Sequence, residues 1–185
     1  MNKKIFGASA LLVVVAITGW FYFQGNQITS AGSSSQTEMK ETVRKLFQAD
    51  EELWHHSREV SLAIANNPNS KLTKQFESQL GEIYISEEAD RIFKVSVEQL
   101  KLEGANTLDY TVDNLKFVIN RWDGAVEKNG VVTAKFLAWT DVTEKGSTNH
   151  NCETEWTVVL KKDSANGPYL IANRWGKDLN PSCRS

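Results

Sequence analysis

The spacing of hydrophobic positions changes twice along this chain, and each change predicts a different kind of structure. From Ile5 to Phe23 there is no charged residue at all, and the run ends in Trp20-Phe21-Tyr22-Phe23. At ~1.5 Å per residue this makes roughly 28 Å of helix, close to the ~30 Å hydrocarbon core of a bilayer. Lys3 and Lys4 are the only charges before Glu38, so the positive-inside rule predicts a cytoplasmic N-terminus and places residues 24–185 outside. The run reads either as an uncleaved anchor or as a signal peptide cut near Thr29-Ser30-Ala31. Its length and the aromatic cluster at its outer end favour the anchor. The expected location is the cell membrane, single-pass, with the C-terminal domain outside the cytoplasm; cleavage would make the protein secreted.

Residues 24–38 lack apolar periodicity and include Gly25, Gly32 and Ser33-Ser34-Ser35, which predicts a flexible linker. A second pattern then begins. Met39, Val43, Leu46, Phe47, Leu53, Trp54, Val60 and Ile64 recur at three- and four-residue intervals, predicting an amphipathic helix over 39–66. Asn66-Asn67-Pro68-Asn69 ends it, because proline cannot continue the hydrogen-bond ladder. Leu72, Phe76 and Leu80 predict a shorter helix stopping near Gly81. Ser86 followed by Glu87 and Glu88 has the form of a helix start, since a hydroxyl caps free amides and acids suit the positive end of the dipole. A third helix to about Glu103 follows, although the alternation of Phe93, Val95 and Val97 equally suits a strand.

From Tyr110 onward the period falls to two. Leu115, Phe117 and Ile119 alternate, and Asn129-Gly130 is a strong hairpin signal because both residues enter positive φ readily. Val132, Ala134, Phe136 and Ala138 share one face of the return strand, with Leu137 and Trp139 on the other. Lys145-Gly146-Ser147 predicts the next turn. Thr154, Trp156, Val158 and Leu160 form a third strand, and Tyr169, Ile171, Asn173 and Trp175 a fourth, joined by a turn over Asp163 to Gly167. Pairing about residue 165 would set Cys152 opposite roughly Asp178. The expected fold is α+β: a transmembrane helix or signal peptide over 1–23, the linker, then an extracytoplasmic domain over 39–185 with two or three helices packed on a curved antiparallel sheet of about four or more strands.

The element order and the ending Glu155-Trp156-Thr157-Val158-Val159-Leu160-Lys161-Lys162 … Gly167-Pro168-Tyr169-Leu170-Ile171-Ala172-Asn173 resemble the cone-shaped superfamily named for nuclear transport factor 2. The resemblance covers about residues 39–178. It implies a cone in which the first helix lies across a concave sheet, often around a pocket, with carboxylates that some members use for proton transfer. One anchor followed by such a domain also resembles the bitopic assembly proteins of type IV secretion and conjugation machines.

Charge and chemistry narrow the function classes. The chain has 21 Lys and Arg against 23 Asp and Glu; with Lys3 and Lys4 in the leader, the exported part is acidic and its basic residues form no stripe, so nucleic acid is not an expected partner. Cys152 and Cys183 are the two cysteines and fall where the compartment permits a disulfide, which would close a loop of about 31 residues and stabilise by roughly 3–4 kcal/mol. Two free thiols are the other reading. The three histidines do not combine with the cysteines at a metal-ligand spacing, and neither metal nor cofactor is expected. His55 and His56 point about 100° apart on a helix and read as a solvated face, and His150 reads as a loop residue beside Cys152. Of Trp54, Trp122, Trp139, Trp156 and Trp175, at least three are expected in the core.

One constellation has catalytic potential. Asp50 and Ser57 interrupt the apolar stripe of the first helix, and with Trp54 and, from the sheet, Trp139, Asp141, Glu155 or Arg174 they could line a pocket in which Asp50 acts as a general base. In the competing reading Asp50 pairs with a sheet arginine, Arg121 or Arg174. Two functions are therefore expected to compete. The leading one is a membrane-tethered extracytoplasmic binding or assembly domain of a bacterial envelope without catalytic activity, held through residues 5–23 and bound to another envelope protein or to itself. The alternative is a small-ligand-binding protein or simple acid-base enzyme built around Asp50.

Overall fold

The computed structural model describes residues 33–55, 58–67, 69–103, 114–144, 147–150 and 153–179. The helices are α1 (Ser33–Trp54), α2 (Arg58–Asn66), α3 (Lys71–Ile83) and α4 (Ser86–Glu103), and the strands β1 (Asn114–Lys128), β2 (Val131–Glu144), β3 (Ser147–His150), β4 (Thr154–Lys161) and β5 (Leu170–Asp178). The α+β expectation holds: helices pack on an antiparallel sheet of order β1-β2-β4-β5. Strand β3 pairs with the end of β2, Asp141 opposite His150, beyond the point where β4 pairs with β2.

Two boundaries differ from expectation. Helix α1 starts at Ser33, inside the stretch read as linker, and the apolar pattern over 39–66 is divided between α1 and α2. The leader and the predicted cysteine pair lie outside the described residues. Among the described residues no helix is long and apolar enough to cross a membrane.

The helix ends follow from local chemistry and from long-range contacts in turn. Ser70 caps α3 by accepting from the Thr73 amide at 3.0 Å. Thr73 is buried, and its hydroxyl is satisfied by the Ala63 and Asn67 carbonyls at the end of α2. Ser86, expected to cap α4 with its own hydroxyl, instead donates that hydroxyl to Asp163 Oδ2 at 2.6 Å, and its amide donates to the same oxygen at 3.1 Å. A carboxylate from the β4–β5 turn thus sits at the start of α4, which is helical despite its β-branched residues.

The β1–β2 turn has Asn129 at φ 55° and Gly130 at φ 75°, a two-residue hairpin of the primed kind that matches strand twist. Register shifts between Ile119 and Arg121 and between Trp122 and Gly124 bend β1, so the sheet curves around α1. A further shift at Val159–Leu160 inserts Ala172 into β5, and Thr154 rather than Cys152 faces Asp178; the pairing is centred later than residue 165, with one unpaired residue absorbed by the bulge.

The core lies between α1 and the concave face. Phe47 is fully buried and meets Phe117, Phe136 and Trp156 with ring centroids 5.1–5.2 Å apart. Gly176 makes room for the Trp156 ring opposite it: a Cβ there would lie 2.9 Å from the indole. Trp54, Trp122 and Trp156 all pack against this core, while Trp175 is 53% exposed.

Candidate functional site

Asp50 is the one acid that α1 carries into the core, 1% exposed. It lies one turn after Phe47, on the stripe that faces the sheet, so its carboxylate enters the concave side. Trp54, one turn further on, donates its indole N–H to Oδ1 at 3.0 Å. Tyr84, at the end of α3, donates its phenol to the same oxygen, and Arg174 of β5 donates to Oδ2. Tyr84 is positioned by pairing with Ile171 of β5, where the Ile85 amide donates to the Ile171 carbonyl at 3.1 Å. The cluster therefore joins α1, α3 and β5, three elements distant in sequence.

The guanidinium of Arg174 is held as a cation in an aromatic setting. Its carbon lies 5.5 Å from the Phe47 ring centroid and 5.7 Å from those of Tyr84 and Trp156. Burial is the strongest single influence and works against this charge, but Asp50, Tyr84 and Glu51 together outweigh it and raise the pKa above the ordinary arginine value. Burial pushes the Tyr84 phenol up as well, and Asp50 adds to that against the pull of Arg174. Neighbouring Glu51 is raised by burial first and by the Asp50 charge second, with a hydrogen bond from Thr140 opposing. This arrangement suits fixing these three elements together. It leaves no proton-accepting oxygen of Asp50 unengaged, whereas a general base needs reach to a substrate proton.

Only part of the predicted constellation assembles. Asp50, Trp54 and Arg174 come together. Trp139 and Asp141 alternate with buried Ala138 and Thr140 on β2 and so take the opposite face of the sheet, paired with Val118 and Lys116. Ser57 lies outside the described residues. Of the two arginines weighed for Asp50, Arg174 is the partner; Arg121 is on the outer face with Asp123 at 2.7 Å and Glu155 at 3.4 Å. His55 hydrogen bonds through Nδ1 to the Glu51 carbonyl at 2.7 Å, within its own helix. No group of His, Cys, Asp and Glu among the described residues could hold a metal ion.

Sequence reasoning missed Tyr84 and two glutamines. Gln48 donates to the Leu115 carbonyl at 2.8 Å and accepts from the Phe117 amide at 2.6 Å. Gln36 does the same at Ala125, with 2.8 and 3.0 Å, and also accepts from the Trp122 indole at 3.2 Å. Each side-chain amide stands in for the backbone of a missing neighbour strand along β1, the sheet's edge. No local pattern distinguishes these glutamines from surface ones.

The helical side carries a different feature. A groove of about 590 Å³ runs between α1 and α3, floored by Phe76 and Ile83. Neither Asp50 nor Arg174 lines it.

No protein-family model matches the chain, and neither does any curated protein. Solved structures similar to it include two of low sequence identity. One, from Catenulispora acidiphila, has 16% identity and a TM-score of 0.44, covering 82% of this chain and 99% of its own. The other, a de novo designed β-sheet protein, has 14% identity and a TM-score of 0.25, covering 71% of this chain and 89% of its own.

Proposed function

We propose that this chain is a membrane-tethered extracytoplasmic binding or assembly domain of a bacterial envelope, built on a cone of the nuclear transport factor 2 type and acting without catalysis. The observation that carries this reading is the engagement of both Asp50 oxygens by Trp54, Tyr84 and Arg174. The most acid-base-competent group of the cone is thereby used to hold the fold. Apolar surface is meanwhile left open, both at the helical groove and at Val126 and Trp175 on the outer side of the sheet. The anchor over residues 5–23 and the acidic exported part favour an envelope protein as partner and argue against nucleic acid.

Crosslinking in intact cells, followed by mass spectrometry of the protein purified from membranes, tests this reading. Repeated recovery of the same envelope proteins is the expected result. Recovery of the chain alone would overturn it, and a mature N-terminus beginning near Gly32 would remove the anchor from it.

A further inference from the structure

We propose that the open edge of β5 pairs with the same edge of a second copy of this chain, antiparallel about a two-fold axis at Gly176, so that two sheets join into one. This goes beyond the binding-domain reading, because it names how copies of the chain assemble with one another.

The ladder between β4 and β5 fixes which main-chain groups are open. Leu179 donates its amide to the Glu153 carbonyl at 3.0 Å, and antiparallel pairs alternate between hydrogen-bonded and non-hydrogen-bonded. Glu155–Lys177 and Thr157–Trp175 are therefore bonded pairs, whereas Thr154–Asp178, Trp156–Gly176 and Val158–Arg174 are not. The N–H and C=O groups of Arg174, Gly176 and Asp178 point away from β4. On the same side of β5 the Ile171 carbonyl is already taken, by the Ile85 amide at 3.1 Å, and on the opposite edge Gln36 and Gln48 engage β1. Beyond the ladder itself, no described residue hydrogen bonds to the main chain of Arg174 or Gly176. Gly176 and Lys177 are exposed, and Trp175 is 53% exposed. The register is unbroken from Asn173 to Asp178, so this stretch is a regular template for another strand.

The order of residues names the occupant. Outward-pointing residues must face one another to exchange hydrogen bonds. Centred on Gly176, the pairing sets Arg174 opposite the second copy's Asp178, Trp175 opposite its Lys177, and Gly176 opposite Gly176. The segment Arg174-Trp175-Gly176-Lys177-Asp178 is thus its own complement when reversed. On the outer face each Trp175 ring meets a lysine. On the concave face opposite charges meet, and the glycine on the axis brings no side chain. Other registers fit worse. Centring on Lys177 sets lysine opposite lysine, and centring on Arg174 or Trp175 drives the second copy's Lys177 or Leu179 onto the Ile171 position that Ile85 occupies. Centred on Gly176, Leu179 falls opposite Asn173 and clears it.

The test co-expresses two full-length single variants, Trp175→Cys and Lys177→Cys, in their own membrane and oxidises them. The mixed dimer keeps one Trp175–Lys177 contact. At its other contact, a non-hydrogen-bonded pair, the Cα atoms stand about 4.5 Å apart, within disulfide reach, whereas position 175 is more than ~7 Å from position 175 of the second copy. Mass spectrometry is expected to find a disulfide joining position 175 of one copy to position 177 of the other. Its yield should be at least roughly five-fold above intermolecular disulfide from either variant alone, and above that from a mixture of Lys177→Cys with Val126→Cys, an exposed position that reports collision. Both substituted positions are exposed, so both variants should unfold at the wild-type midpoint. Equal yields in all samples, a main product joining position 175 to position 175, or no covalent dimer overturns the proposal. Recovery of envelope proteins from intact cells is a separate readout, so the binding-domain reading stands or fails independently of this pairing.

Discussion

Helix α1 carries a carboxylate into the core on the side facing the sheet and leaves an apolar stripe half open on the side facing α3. The ordinary division of a surface helix is the reverse. On the sheet side, Asp50 is tolerated because Trp54, Tyr84 and Arg174 replace the water it gives up, and the rings around Arg174 accept the opposite charge. On the α3 side, Leu46 and Ala49 remain half-buried with Glu52 beside them. The difference separates groups that look chemically active from groups that are open to a partner. A titratable side chain whose oxygens are all engaged holds structure, whereas half-open apolar surface keeps area that a partner can cover.

The largest expected effect falls on the sheet side. Arg174→Met leaves the Asp50 charge buried against two neutral donors, and urea unfolding is expected to show a loss of about 3–5 kcal/mol. Adding Asp50→Asn should recover part of that loss, because the pair is coupled. A single-variant cost below about 1 kcal/mol would mean that water reaches Asp50, and the comparison would fail.

A smaller effect is expected where α1 covers the edge of β1. Gln48→Ala and Gln36→Ala each remove two main-chain hydrogen bonds and should cost about 1–3 kcal/mol. Amide exchange should accelerate at Phe117 for the first variant and at Ala125 for the second. Unchanged exchange at both would show that the edge is protected by something other than these side chains.

Glu51, beside Asp50 on the sheet side and hydrogen bonded by Thr140, sharpens the contrast through pH. Burial and Asp50 raise its pKa above the ordinary 4.5, so the folded chain holds a proton that the unfolded chain releases. Stability from this group is present below about pH 4.5 and is lost as pH rises towards the folded pKa. Glu51→Gln is therefore expected to match wild type in acid and to gain in midpoint temperature above pH 4.5, levelling off beyond the folded pKa. A gain that is equal at all pH values would contradict the burial of this carboxyl group.

The smallest effect on stability is expected at the groove. Glu82→Lys replaces an exposed charge and should shift unfolding by no more than about 0.5 kcal/mol. A large loss would show that Glu82 contributes to folding and would remove the contrast between a structural and an open side.

Most of the architecture was legible because its signals act over a few residues. The helical spacing of Phe76 and Leu80, the alternation from Leu115 to Ile119 and the Asn129-Gly130 turn each reflect constraints on neighbouring dihedrals or on one exposed face. The site was legible only in part. Asp50 was conspicuous as a polar interruption, but Trp139 and Asp141 were placed with it although their strand period puts them on the other face. Tyr84 gave no signal, since a tyrosine at a helix end is ordinary until β5 fixes it beside Asp50.

By itself, then, the sequence determined the order and type of the elements, the hairpin geometry and the export-like leader pattern, because these depend on side-chain period, backbone sterics and local charge. Tertiary structure decided that Arg174 rather than Arg121 reaches Asp50, that Asp163 sits at the start of α4, that Gln36 and Gln48 close the edge of β1, and that apolar surface opens between α1 and α3. Each of these four depends on strand register, on bulges or on how helices lie against the sheet. A bulge of one residue changes which side chains meet across the fold while leaving the local pattern of the chain almost untouched.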